Sequence, residues 1–288
     1  MTTTNEDNLP KITPDQLEPG NVLLCKGEDS DIFDRLIVLF AGGPYCHSAF
    51  WNGTHVVQAS DRGLNQDDLS SLSGEDYVDV YKFHKDDHVL GDPDWPAQPL
   101  VDEANKLASE THKYAWDHCI LMAICCLTRK IDLPPIEKSF LRLLMDQAAG
   151  FIDKLIDGDK QPMMCSEVVY TIFEKAIPEH HYELYIKGIP FQHLQALCAG
   201  PVIQNSLKAT NEKKLFGSRL VSEAEANEID AKFAESEKRF FDAWMKAKGI
   251  DIEKAIKENN FDPVVAACVT PYDLSKSPNL ERIGRLDF

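Results

Sequence analysis

No stretch of this chain stays apolar for long enough to cross a bilayer: the longest run, residues 119–127, has about half of the roughly 20 residues that a membrane helix needs. A run of that length reads as a core helix. The first eight residues, Met1-Thr-Thr-Thr-Asn-Glu-Asp-Asn8, carry neither the basic nor the apolar segment of a secretory signal. The expectation is therefore synthesis in the cytoplasm with no signal peptide, transmembrane helix or stable membrane anchor, any export using a signal-independent route. Basic residues are also scarce. Lys and Arg total 30 against 47 Asp and Glu, a formal charge of −17, which disfavours binding to nucleic-acid phosphates or an anionic membrane surface. Finally, the eight cysteines, at 25, 46, 119, 125, 126, 165, 198 and 268, form no CxxC pair and no regular spacing. That disfavours a zinc ribbon or a disulfide framework as the organising device, and most of them read as reduced, buried small hydrophobes.

What is present is enough apolar sequence, 43% of 288 residues, for a packed core. Pro19-Gly20 punctuates the start of a short buried strand, Asn21-Val-Leu-Leu-Cys25. Residues 31–40 have helical apolar spacing, ended by Gly42-Gly-Pro44. His47-Ser-Ala-Phe-Trp51 and His55-Val-Val-Gln-Ala59 read as two strands joined around Asn52-Gly53, a strong hairpin signal. Residues 78–83 are a further strand, and helices are expected over 100–110, 116–127 and 140–155. The apolar positions 168, 169, 172, 173 and 176 form one face of a helix over 165–176. Between 206 and 260 the composition shifts to Ala, Glu and Lys, with 229, 233, 240 and 244 on one helical face. This region reads as a packed helical insertion, or as a lid or partner-binding hairpin. The tail from 266 to 280 reads as a strand followed by a proline-marked turn.

Cys165 is distinguished from the other thiols by its position at the start of a helix. Unpaired backbone N–H groups and the positive end of the helix dipole stabilise a thiolate there, and the same amides can hold an oxyanion. A thiol nucleophile also needs a base. His47, which follows the Gly-Gly-Pro loop and opens a strand, is the best placed of nine histidines. Gln58, on the partner strand, is preferred over His55 to orient the imidazole. Bland readings stand beside these: a helix-start Cys as a packing residue, and a strand His as a hydrogen-bonded structural residue. Cys46-His47 has no second ligand pair at zinc spacing. His84 and His88 fall at a strand end and loop, and His180-His181 in a solvated turn. Asp67-Asp68 lacks the spacing of a calcium loop.

The ordered fragments Pro19-Gly-Asn-Val-Leu-Leu24, His47-Ser-Ala-Phe-Trp51, Val56-Val-Gln-Ala59, Tyr114-Ala-Trp-Asp117, Cys165-Ser-Glu-Val-Val169 and Thr270-Pro-Tyr-Asp-Leu274 resemble the YiiX/YebB-like group of NlpC-type, papain-like cysteine hydrolases. The resemblance implies an α+β, circularly permuted papain-like fold, a small antiparallel sheet packed on helices, with a helical insertion. It divides the chain into a polar leader (1–16), a catalytic domain (17–200, with a helical elaboration at 128–160), an insertion or lid (206–260) and a returning C-terminal segment (262–288). It implies Cys165 as nucleophile, His47 as general base, Gln58 at the third polar position, where relatives more often carry Glu or His, and Tyr114 in the substrate cleft. No metal or organic cofactor is required. The expected activity is cleavage of an amide bond, with bacterial cell-wall peptide as leading substrate, in an effector with a secretion-machine or immunity partner. The alternatives are a lipid acyl-ester hydrolase or acyltransferase with the same Cys–His pair, and a degenerate fold used for binding.

Overall fold

The computed structural model describes residues 9–27, 38, 43–60, 63–110, 113–114, 120, 123–125, 135–155, 162–178, 180–186, 223–258, 260 and 262–288. Its strands are β1 (Lys11–Ile12), β2 (Val22–Lys26), β3 (His47–Trp51), β4 (Val56–Ser60), β5 (Gly63–Asp67), β6 (Tyr77–Lys85), β7 (His88–Val89), β8 (Lys113–Tyr114), β9 (Pro162–Met163) and β10 (Leu280–Leu286). The helices are α1 (Gln98–Ser109), α2 (Pro135–Leu155), α3 (Cys165–Lys175), α4 (Glu223–Ala247), α5 (Ile252–Glu258), α6 (Asp262–Ala266) and α7 (Pro271–Ser275). The fold is α+β. The helix expected over 31–40 lies outside the described residues except for Val38, and that over 116–127 is described only at 120 and 123–125, which are helical.

One sheet organises the molecule, in the order β1-β10-β6-β2-β3-β4-β5 with β7 beside β6. It has eight strands, so it is larger than expected, and it is mixed, because β1 runs parallel to β10 while the other pairs are antiparallel. The period of two in a strand sorts its side chains to opposite faces. In β2, Val22 and Leu24 join Phe50, Val57 and Phe83 in the large core under the helices, while Leu23 and Cys25 join Ala49, Trp51, Val56 and Val80 on the other face. Each fully buried large apolar side chain among these stabilises the fold by about 1.5–3 kcal/mol.

Local chemistry sets the hairpin between β3 and β4. Asn52 Oδ1 accepts from Thr54 N at 2.9 Å and His55 N at 2.7 Å, and Gly53 takes the left-handed backbone (φ +98°) that other residues avoid. Helix α3 lies across β3 and β4, with Val168, Val169, Ile172 and Phe173 buried and Phe173 edge-on to Phe50 at 6.2 Å.

The described part of the 206–260 region, from Glu223 on, is packed. Phe240, Phe241, Trp244 and Met245 of α4 are buried, and α4 is tied to α2 by Lys138–Asp230 (2.7 Å) and Ser236–Asp146 (3.1 Å). Its far end reaches α3: Trp244 Nε1 donates to Ala267 O, and just beyond α4 Lys248 pairs with Glu167 at 2.5 Å in a buried setting. No strand forms at 266–269, contrary to the expectation from the sequence. Thr270 instead caps α7, accepting from Asp273 N while the Asp273 carboxylate accepts from Thr270 N, with Pro271 in the first turn. The C-terminal strand begins only at Leu280. No helix among the described residues is long and apolar enough to cross a membrane.

Candidate active site

Helix α3 starts without a conventional cap. Met164 stands at the N-cap in an extended conformation and has no oxygen to offer the first-turn N–H groups. Glu167 does half of the usual exchange, its carboxylate accepting from Met164 N at 3.3 Å. The amides around Cys165 therefore face the thiol with no side-chain acceptor of their own at the cap. Ser166, the next residue, donates to Val269 O at 2.6 Å and fixes the helix start against the segment leading into α7.

Cys165 and His47, 118 positions apart in sequence, meet here. The thiol and the imidazole lie close enough for each to shift the other. Burial pushes the Cys165 thiol up, but the imidazolium beside it, the hydrogen bond from His47, and the N–H and hydroxyl of Ser48 outweigh burial and hold it below the ordinary thiol value. Burial likewise pushes His47 down. The Cys165 thiolate, the Gln58 hydrogen bond and the nearby Glu75 carboxylate more than compensate, so the imidazole is raised. Both shifts favour the same state, a thiolate–imidazolium pair.

His47 Nε2 lies 2.8 Å from Gln58 Oε1. A carbonyl oxygen only accepts, so Nε2 carries the proton and Nδ1 is the nitrogen left for Cys165. The Gln58 amide is itself held: its Nε2 donates to Asp67 Oδ2 at 3.0 Å and to Ser71 Oγ at 3.2 Å. The ladder between β3 and β4 pairs only Phe50 with Val57 and Trp51 with Val56, so His47 and Gln58 meet through side chains where the two strands have left the ladder. The loop before His47 is fixed from the other side, since Gly43 has no side chain and the ring of Tyr272 fills the place where a Cβ would stand.

Three of the four residues expected from the sequence thus come together: Cys165, His47 and Gln58. The fourth, Tyr114, has its backbone paired with Met163, two residues before Cys165; its side chain lies outside the described residues. Asp67 and Ser71 were missed. Asp67 sits at the end of a polar strand, Gly63-Leu-Asn-Gln-Asp67, whose only usable signal is that β5 follows the Gln58 strand as its antiparallel partner. Ser48 was also missed, and the alternation of β3 could have found it, because it shares the face of Phe50. The His180-His181 turn is not simply solvated either: His181 stacks on Trp95 at 3.8 Å, and His88 stacks on the same indole at 5.5 Å.

Two other described thiols differ from Cys165. Cys46 Sγ accepts from Gly27 N at 3.0 Å, and burial raises the Cys25 thiol. Among the described residues no three His, Cys, Asp or Glu side chains gather as metal ligands. No protein-family model, curated protein or solved structure matches this chain.

Proposed function

We propose that this protein is a cysteine hydrolase of the permuted papain-like, NlpC-type kind, cleaving an amide bond through a thioester. The observation that carries the reading is the buried Cys165–His47 contact at an open helix start, with the second imidazole nitrogen fixed by Gln58. In the proposed cycle the Cys165 thiolate attacks the carbonyl carbon, and the oxyanion is met by first-turn amides of α3. His47, charged in the resting pair, gives its Nδ1 proton to the leaving amine. The neutral imidazole then takes a proton from the water that attacks the thioester, and collapse of that adduct releases the acid and expels the sulfur as thiolate, restoring the thiolate–imidazolium pair.

Asp67 bears on the third position. A neutral Gln58 orients the ring but brings no charge; the carboxylate 3.0 Å behind its amide supplies one a step further away, polarising the Gln58 dipole toward the imidazolium. This support argues against a degenerate binding fold. Residues 119–127 would support the lipid-ester alternative only if exposed, and those of them that are described, Ile120, Ala123, Ile124 and Cys125, are buried, which removes that support. Bacterial cell-wall peptide remains the leading substrate, with delivery as an effector and an immunity partner as part of the same proposal.

The test incubates wild type and Cys165→Ala with cell-wall fragments and, in parallel, with phospholipids, and identifies products by mass spectrometry. New peptide amines appear with wild type only, and the variant loses at least about 10⁴-fold in rate. Release of fatty acid by wild type, or identical products from both proteins, contradicts the assignment.

A further inference from the structure

Ser48 is fully buried on β3, and its hydroxyl has no partner in hydrogen-bond geometry among the described residues. A buried hydroxyl without a partner is unusual, because such a group loses its bonds to water and gains nothing in return. Its surroundings explain its presence. Alternation along β3 places Ser48 on the face of Cys46 and Phe50, and Phe50 packs against Phe173 of α3. Ser48 therefore looks toward the helix whose first residue is Cys165, and both its N–H and its hydroxyl act on the Cys165 sulfur.

We propose that Ser48 is a second activating residue of this site, its hydroxyl rotating to donate a hydrogen bond to the Cys165 thiolate and so aiming the sulfur lone pair between the His47 ring and the helix start. The inference rests on the reading of Cys165 as the nucleophile. It adds a donor that neither the imidazole nor the helix supplies. The division of labour is clear from chemistry: His47 holds the transferable proton, while Ser48 keeps its own and only shares it. The unpaired hydroxyl is a stability cost retained for reactivity, in the sense that functional groups left unsatisfied in the fold are satisfied by the reacting state.

Ser48→Ala tests this directly. The variant is smaller than the residue it replaces and keeps the backbone N–H, so it reports on the hydroxyl alone. Alkylation of Cys165 by iodoacetamide is followed against pH by mass spectrometry of the Cys165 peptide, with the thermal midpoint of each protein measured alongside. In Ser48→Ala the pH midpoint of alkylation rises by about one unit, which is a tenfold loss of thiolate in the lower pH range. Its thermal midpoint stays level or rises, because an unpaired buried hydroxyl has gone. A midpoint coincident with wild type overturns the proposal, as does a shift accompanied by a fall in thermal midpoint, which is the mark of a packing role. Failure of the underlying reading looks different: wild type itself would then alkylate at Cys165 with the midpoint of an ordinary thiol.

Discussion

Cys25 and Cys165 are both buried free thiols, 0% and 4% exposed, and their acidities move in opposite directions. Cys25 lies on β2 directly across from His47 in the ladder. Burial raises it, and the negative charge of Glu75 and the neighbouring thiols raise it further. Cys165 suffers the same desolvation, yet His47 and Ser48 bring it down. Lying beside a histidine in sheet register is therefore not what activates a thiol. Cys25 is adjacent to His47 through the backbone, where side chains on neighbouring strands stand side by side, whereas Cys165 approaches the ring from a helix end that brings free amides with it.

The largest change to this comparison comes from removing the imidazole. His47→Ala makes Cys165 a second Cys25: its alkylation near neutral pH falls by about 100-fold or more, read by mass spectrometry of the Cys165 peptide. Gln58→Leu is the intermediate case, since it leaves the ring but takes away the acceptor that fixes Nε2–H. About 10–100-fold of the thiolate reactivity is lost, the equivalent of one hydrogen bond to a charged group. The reverse substitution, Cys25→Ala, leaves Cys165 reactivity unchanged and lowers stability by about 1–2 kcal/mol in denaturant melts, because a buried atom is deleted from the smaller core. A loss of Cys165 reactivity there would mean that the two thiols act together.

The smallest expected effect lies far from either thiol. Glu237 of α4 is raised from 4.5 to about 7 by burial, with Lys138 opposing. The folded carboxyl holds its proton where the unfolded chain has lost it, so its contribution to stability is complete below about pH 4.5 and is lost as pH rises through about 7. Glu237→Gln accordingly melts above wild type by roughly 2–4 °C above pH 7, and the gap closes below pH 4.5. Reactivity at Cys165 does not move in that variant, which separates the α2–α4 layer from the site.

A second buried polar group on the sheet shows what a purely structural solution looks like. Asp79 is fully buried and its carboxylate is met by Arg285 Nε at 2.7 Å, Arg282 Nη1 at 3.2 Å and the Tyr45 hydroxyl at 2.8 Å, with Tyr45 also bonded to Tyr81. Its charge is paired and both its oxygens have donors. At Cys165 the balance is between two groups that exchange a proton, and Ser48 is left over.

Much of the site was legible in the sequence because it rests on local rules. Asn52-Gly53 specifies the hairpin that carries His47 and Gln58, and the 168, 169, 172, 173 stripe specifies the helix that begins at Cys165. The layer behind the site was not. Asp67 ends an edge strand, where one polar face costs nothing and no hydrophobic alternation marks it. β10 hid behind Arg282 and Arg285, charges that make sense only once Asp79, some 200 residues earlier, is brought beside them. Ala266-Ala-Cys-Val269 reads as a strand because it is apolar; the Thr270-Pro-Tyr-Asp273 capping box that follows is the better guide.

The account rests on a preformed thiolate–imidazolium pair, and ultraviolet titration of the thiolate tests it most directly. The difference in absorbance between wild type and Cys165→Ser, followed from acid to alkaline pH, isolates this sulfur from the other cysteines. Two steps are predicted: thiolate appears below the ordinary thiol value of about 8.5, and a further change follows at higher pH as the raised His47 loses its proton. A single transition at or above about 8.5 would contradict the pair and, with it, the nucleophile.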